Sequence, residues 1–267
     1  MSSFRVRWED LPSVLRAEIA RRTGKVRAVE PVTGGITCPL TLVIHTAREG
    51  RLFLKGVRDD DGPGLAALRR EEELNATVTG AGPAIRHTFH AGGWRCLAFA
   101  HIPGRTADLS PGSPDLPAVT TTIRRMTGLR PPGSVALPTL ASTYAGVLAA
   151  GEAELLHGGQ LLHNDLHPHN IVVSGAGKAY VVDWAMPCLG PAWADPANTA
   201  VRLMESGHSP DDALAWLDAF PVWRRADRRA VETLVAVECR QLTASVGKDG
   251  AAASNARFQQ LLAHPPR

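Results

Sequence analysis

Three side chains that carry oxygen ligands, Asp165, Asn170 and Asp183, lie close together in one stretch of the sequence. Two short apolar runs separate Asn170 from Asp183, and the glycine-containing segment 174–177 joins the runs, which is the pattern of a hairpin. A hairpin brings its two ends together, so Asn170 and Asp183 are expected to lie side by side. Pro168 disfavours helix in the preceding loop, so Asp165 can reach the same place.

This set of groups suits phosphoryl transfer. Carboxylate and amide oxygens are ligands that Mg²⁺ prefers, and a carboxylate left off the metal can accept the proton of a hydroxyl. Protein kinases divide the work in this way, with a catalytic loop H-R-D-x-x-x-x-N followed by D-F-G. Here His163-Asn164-Asp165 leads to Asn170 at the same spacing, and Asp183-Trp184-Ala185 takes the place of the second motif.

The loop, its spacing, the hairpin and the second aspartate together resemble the aminoglycoside phosphotransferase family, kinase-like enzymes that phosphorylate hydroxyls of small molecules. The resemblance covers roughly residues 32–202. It implies a two-lobed α+β fold of the protein-kinase type, with ATP and Mg²⁺ held between an N-lobe of antiparallel sheet plus helix and a mostly helical C-lobe. Asp165 would be the catalytic residue, and Asn170 and Asp183 would hold the metal.

A lysine and a glutamate fit the part of the kinase pattern that holds phosphates. Lysine is rare in this chain, and Lys55 lies near the end of the predicted strand 51–57, where kinases need a cation for the α and β phosphates. Glu71 falls close to the inward stripe of the predicted helix 65–79, whereas the two glutamates after it turn outward. We therefore expect Glu71 to pair with Lys55.

Two further segments are assigned to nucleotide binding. Gly34 and Gly35 lie between predicted strands, and a turn without side chains lets backbone amides approach phosphates, although an ordinary hairpin turn explains the same residues. Neither G-x-G-x-x-G nor a P-loop motif is present. The resemblance implies that backbone groups of Ala100 and Ile102 bind adenine in a hinge at residues 100–104.

The chain is expected to divide at this hinge, because strand-forming sequence precedes it and helix-forming sequence follows it. Residues 1–99 would form the N-lobe, and residues 105–267 the C-lobe with the catalytic loop and the acceptor site. The predicted C-lobe helices span residues 116–129, 140–156, 197–204, 211–220, 225–246 and 251–262. Asp195 is predicted to be the N-cap of the third of these helices, and by resemblance its carboxylate would brace the catalytic-loop backbone.

Composition limits the other function classes. The chain has 267 residues, 44% of them hydrophobic and 21% charged, as in ordinary globular proteins. Its net charge of +3 and the lack of basic runs interleaved with aromatics argue against nucleic-acid binding. No stretch is apolar enough for a signal peptide or membrane span, so we expect a cytoplasmic protein without a membrane partner. We also expect a monomer or weak dimer. The four cysteines are far apart and form no C-x-x-C pair, which argues against a disulfide framework.

Alternatives remain at this point. The imidazoles of His163, His167 and His169 could form a zinc site instead. The chain could also be a nucleotide-binding pseudokinase with a regulatory role. The resemblance favours an aminoglycoside or other antibiotic as acceptor, and thus antibiotic inactivation. From residue 187 onward, however, acidic and basic residues are equally numerous, so sugars, nucleosides and amino alcohols stay open as acceptors.

Overall fold

The computed structural model describes residues 5–32 and 38–263, which form two compact units. The first unit is drawn from Met1–Pro103 together with Asp183–Ala185, and the second from Gly104–Val182 and Met186–Arg267. Gly34 and Gly35 lie outside the described residues, so their predicted contact with phosphates stays a prediction.

The first unit is built on a five-stranded antiparallel sheet with the strand order β1-β2-β3-β5-β4. Its elements are α1 (Ser13–Thr23), β1 (Val26–Pro31), β2 (Leu40–Thr46), β3 (Gly50–Arg58), α2 (Gly62–Val78), β4 (Ile85–Ala91) and β5 (Trp94–Ala100). Alternate residues of a strand face opposite sides of the sheet. Leu52 and Leu54 of β3 accordingly pack in the cluster that contains α1, whereas Val57 packs in the cluster that contains α2.

Helix α2 is fixed by its ends and by its apolar stripe. The Asp61 side chain accepts a hydrogen bond from the N–H of Gly64 (2.9 Å), and Pro63 stands in the first turn, where its missing N–H does no harm. The buried residues recur at helical spacing. They are Leu65, Leu68, Glu71, Leu74 and Val78. Glu71 is therefore the one charged member of the face that packs on the sheet.

The second unit is mainly helical and contains two small sheets. Strand β8 pairs with β6 and β9, and β7 pairs with β10, all antiparallel. The elements are β6 (Gly104–Thr106), α3 (Leu116–Met126), α4 (Leu140–Thr143), α5 (Glu152–Leu155), β7 (Gln160–Leu162), β8 (Ile171–Ser174), β9 (Ala179–Val181), β10 (Cys188–Gly190), α6 (Ala194–Glu205), α7 (Pro210–Asp218), α8 (Pro221–Arg224) and α9 (Arg228–Gln260). None of the helices in the described part of the chain is long and apolar enough to cross a membrane.

Two sequence-based element predictions were wrong, and a third was confirmed. The segment 140–156 is not one helix but the short helices α4 and α5, because Gly146 lies inside it and Gly151 has a φ of 81°, which an α-helix does not accommodate. The predicted break between residues 246 and 251 is present: Gly247 departs from helical geometry (φ 78°, ψ 169°), so the range of α9 contains two helices that meet at a kink. Asp195 is not an N-cap, since α6 already begins at Ala194.

Candidate active site

Lys55 is held by two carboxylates. Its ammonium donates hydrogen bonds to Glu71 and to Oδ1 of Asp183, the latter at 2.5 Å. Lys55 and Glu71 are almost fully buried, with 7% and 4% exposure, whereas about a third of the Asp183 side chain is exposed. The predicted pair of Lys55 and Glu71 is therefore present, and strand alternation in β3 together with the stripe of α2 explains it.

The two carboxylates also fix the charge state of the lysine. Burial alone would lower the pKa of Lys55, but Glu71 and Asp183 outweigh that effect, so the pKa of Lys55 is raised. The ammonium stays charged at neutral pH, buried but paired. A cation in this state can attract phosphate oxygens without first having to take up a proton.

A Glu71→Gln substitution is expected to raise the KM for ATP about tenfold, because it removes one charged partner that orients the Lys55 ammonium. The glutamine keeps the size of the side chain and can still accept a hydrogen bond. Lys55→Ala is less informative, because it would leave the buried Glu71 carboxylate without its partner. The measurement is steady-state kinetics with Glu73→Gln, a charge change on an exposed residue of the same helix, as the matched control. An unchanged KM for ATP would contradict the role given to Glu71.

Asp165 and Asn170 meet in the loop before β8. The side-chain amide nitrogen of Asn170 donates to the Asp165 carboxylate oxygen Oδ2 (3.0 Å) and to the Asp165 main-chain carbonyl (2.9 Å). Its Oδ1 atom is the opposite end of the same amide, so this orientation aims an acceptor oxygen away from Asp165. The loop thus presents a carboxylate and an amide oxygen as separate functional groups.

The predicted hairpin exists and places Asp183 next to its base. Strands β8 and β9 pair antiparallel, and beyond them the N–H of Val182 donates to the carbonyl of Asn170 (2.8 Å). Asp183 follows immediately with a φ of 63°, and Asn164 has the same value. Asparagine and aspartate tolerate this left-handed conformation better than other non-glycine residues. Positive φ at these two positions was not predicted, although the residue types permit it.

Asp195 holds the backbone of the loop that contains Asp165. Its two carboxylate oxygens accept hydrogen bonds from the backbone N–H groups of His163 (2.8 Å) and Asn164 (3.1 Å), and the residue is 4% exposed. Burial raises the pKa of Asp195, and His163 and the two N–H donors oppose that rise. The contact that the resemblance implied for Asp195 is present, although the residue is not the helix cap that the sequence suggested.

The alternative zinc site lacks support. His163 is fully buried, and its Nε2 lies 3.0 Å from the carbonyl oxygen of Val182, so the ring is engaged in holding the hairpin. Within residues 5–32 and 38–263, no group of three or more His, Cys, Asp and Glu side chains is placed to hold a metal. A kinase-type Mg²⁺ site does not require such a group, because phosphates, waters and the oxygens of one carboxylate and one amide complete it. Asn170 has an amide oxygen and Asp183 a carboxylate, which are donors that Mg²⁺ prefers, and their joint role as its ligands stays a prediction.

The predicted hinge residues lie at the end of the first sheet. Ala100 is the last residue of β5 and donates its N–H to the carbonyl of Ala84 (2.8 Å). Ile102 follows in a segment without regular structure. Their role in binding adenine stays a prediction.

A cavity in the second unit contacts Asp165, and no sequence pattern predicted it. Its volume is about 210 Å³. The lining includes Tyr144, Asn198 and Glu238, which come from three segments far apart in the chain, so no local pattern could have joined them. Four acidic residues of the second unit are not part of its lining. These are Glu205, Asp211, Asp212 and Asp218.

Part of the chain matches the model of a known protein family. Residues 122–231 match the model of APH, described as a phosphotransferase enzyme family. This range contains Asp165, Asn170, Asp183 and Asp195, whereas Lys55 and Glu71 lie before it. No curated protein matches the sequence.

Solved structures resemble the chain over nearly its whole length, at low sequence identity. Choline kinase LicA from Streptococcus pneumoniae matches with a TM-score of 0.54 and 13% identity, over 93% of this chain and 98% of LicA, and another LicA structure contains AMP. An aminoglycoside phosphotransferase from Alicyclobacillus acidocaldarius matches with a TM-score of 0.56 and 14% identity, over 89% of this chain and 91% of that protein. Macrolide 2′-phosphotransferase MphH from Brachybacterium faecium matches with a TM-score of 0.53 and 16% identity, over 95% of this chain and 99% of MphH.

These likenesses confirm the predicted fold class, an α+β fold of the protein-kinase type with an antiparallel N-terminal sheet and a helical remainder. The family match likewise confirms the prediction of a phosphotransferase enzyme. The resemblance of the catalytic motifs to the aminoglycoside phosphotransferase family is therefore borne out, by the family model over residues 122–231 and by a fold shared with solved phosphotransferases.

Proposed function

We propose that this protein is an ATP-dependent O-phosphotransferase that moves the γ-phosphate of ATP to a hydroxyl of a small molecule. The observation that carries the proposal is the buried, charged Lys55 held by Glu71 and Asp183. Burying a lysine with two carboxylates costs free energy of solvation, and a site for phosphates gives a reason for that cost. The AMP found in a LicA structure supports nucleotide binding by this fold.

In the proposed reaction the site residues divide the work between binding the nucleotide, holding the metal and handling the acceptor hydroxyl. Lys55 binds phosphate oxygens of the nucleotide, and Asn170 and Asp183 hold Mg²⁺, which when bound neutralises phosphate charge. Asp165 orients the acceptor hydroxyl and takes its proton as the hydroxyl oxygen bonds to the γ-phosphorus. The bond from that phosphorus to the β–γ bridging oxygen breaks, and ADP leaves. Asn170 keeps the Asp165 carboxylate in place through its amide N–H.

For the acceptor, the family favours an aminoglycoside or another antibiotic, which would make the protein a resistance enzyme. Kinases of metabolic alcohols are the second candidate, and the choline kinase among the similar structures supports it. A purely regulatory nucleotide-binding protein is less well supported, since Lys55, Asp165, Asn170 and Asp183 are all present.

The test is an ADP-release assay with ATP and Mg²⁺ against aminoglycosides, macrolides, peptide antibiotics, nucleosides, sugars and amino alcohols. We expect one class to stimulate ADP release, and an Asp165→Ala variant to lose the stimulation. If ATP binds in a parallel titration but no acceptor stimulates turnover, the result supports the regulatory alternative. Turnover that persists in Asp165→Ala would contradict the role proposed for Asp165.

A further inference from the structure

The cavity beside Asp165 is small and lies wholly within the second unit. Its volume of about 210 Å³ is below the roughly 300–1,000 Å³ of typical ligand pockets. A simple amino alcohol or a single sugar ring fits within such a volume, whereas a multi-ring antibiotic would extend out of it. The cavity therefore limits the size of the part of an acceptor that lies beside Asp165.

The polar part of the lining contains several hydrogen-bond acceptors, next to Thr143, Asn164 and Arg202. The Asp165 and Glu238 carboxylates contribute oxygens, and Tyr144 donates its hydroxyl to Oε1 of Glu238 at 2.5 Å. The Oδ1 atom of Asn198 is buried and has no hydrogen-bond partner among the described residues. An unpartnered buried carbonyl oxygen costs free energy, and a ligand that donates to it removes that cost.

The charged side chains of the cavity also favour a ligand that donates hydrogen bonds. The cavity also contacts Arg202, but the guanidinium of Arg202 is bonded to Glu205 (2.7 Å) outside the lining. Burial raises the pKa of Glu238, and the hydrogen bond from Tyr144 and the charge of Arg202 oppose that rise. The lining therefore contains two carboxylates, those of Asp165 and Glu238, and one guanidinium. A cationic ligand would be attracted, and an anionic one would be repelled.

The apolar part of the lining suits carbon groups next to a cation. It consists of Leu166, Met186, Phe258 and the ring of Tyr144. Aromatic faces attract ammonium groups, and thioether and aliphatic side chains pack against methyl and methylene groups. Met186 is 60% exposed, so its thioether is accessible to a ligand in the cavity.

Building on the proposed phosphotransferase function, we propose that Glu238 and Asn198 select the acceptor, and that it is a compact alcohol with a positively charged amine. The amine lies against Glu238, a hydroxyl or N–H group donates to Asn198 Oδ1, and the reacting hydroxyl points to Asp165. A free amino alcohol or amino sugar fills the cavity alone. An aminoglycoside fits it only by inserting one amino-sugar ring.

The experiment measures binding to the full-length protein by calorimetry, without nucleotide, so that it does not depend on turnover. The probes are matched pairs of similar shape that differ in charge: choline with 3,3-dimethylbutan-1-ol, and glucosamine with glucose. We expect the charged member of at least one pair to bind at least about tenfold more tightly than the neutral member. Glu238→Gln should remove this preference, while Asn198→Ala should weaken both members of that pair.

Controls separate this inference from the function on which it rests. Glu232→Gln makes the same charge change at an exposed position of α9 and should bind like the native protein. Thermal unfolding shows whether Glu238→Gln is folded, and an intact aminoglycoside tests whether a larger molecule is taken. Equal binding of both members in every pair, no binding by any probe, or a charge preference that survives Glu238→Gln would overturn the inference. Charge-selective binding without ADP release would instead leave the inference standing and count against the kinase.

Discussion

Asp183→Asn is expected to lower phosphotransfer about a thousandfold or more while leaving the protein folded. The Asp183 carboxylate has two tasks, since it binds the Lys55 ammonium and is the proposed charged ligand of Mg²⁺. Asparagine keeps the size of the side chain and tolerates the φ of 63° at this position, so the substitution tests charge rather than backbone strain. Alanine would test both at once, because it does not favour positive φ.

The measurement is the rate of ADP formation at saturating ATP over a range of Mg²⁺ concentrations. Asp60→Asn is the control, because it makes the same change at a side chain of the first unit that is 73% exposed. We expect the control to keep native activity. If Asp183→Asn turns over at more than a tenth of the native rate at low Mg²⁺, Asp183 does not hold the metal.

Local sequence patterns predicted those parts of the site that depend on short-range periodicity. The pairing of Lys55 with Glu71 follows from a two-residue repeat in a strand and a helical repeat in α2, and both repeats can be read from neighbouring residues. The meeting of Asn170 with the far end of the hairpin follows from the turn between β8 and β9. In each case the geometry of a single strand, helix or hairpin fixes the position of the residue.

Contacts between distant segments could not be predicted from such repeats. The sequence shows Tyr144, Asn198 and Glu238 in three separate regions, and only the packing of α6 and α9 brings the last two to one cavity. The failed helix at 140–156 has a related cause. Its apolar spacing is helical, but Gly146 and Gly151 weaken the helix, and the buried Tyr144 is instead fixed by Glu238 from α9. Tertiary contacts decided the outcome there.

Asp195→Ala is expected to reduce the free energy of unfolding by about 3 kcal/mol and to remove most of the phosphotransferase activity. The substitution leaves the buried N–H groups of His163 and Asn164 without their acceptors. Asn164 must hold a φ of 63°, and the carboxylate of Asp195 is what fixes its N–H in that conformation. Asp165 is the next residue, so its position should loosen when this support is lost.

The unfolding midpoint measures the loss of stability, which should be about 10 °C for a chain of this size. Asp211→Ala is the matched control, since Asp211 also lies in the first turn of a helix but is exposed, and it should change the midpoint by no more than a degree or two. Assays well below the lowered midpoint separate the loss of activity from unfolding. Because Asp195 acts through the loop, its loss should lower kcat more than it raises the KM for ATP, which Lys55 continues to bind. A variant that is destabilised but keeps native kcat would show that Asp195 supports the fold without positioning Asp165.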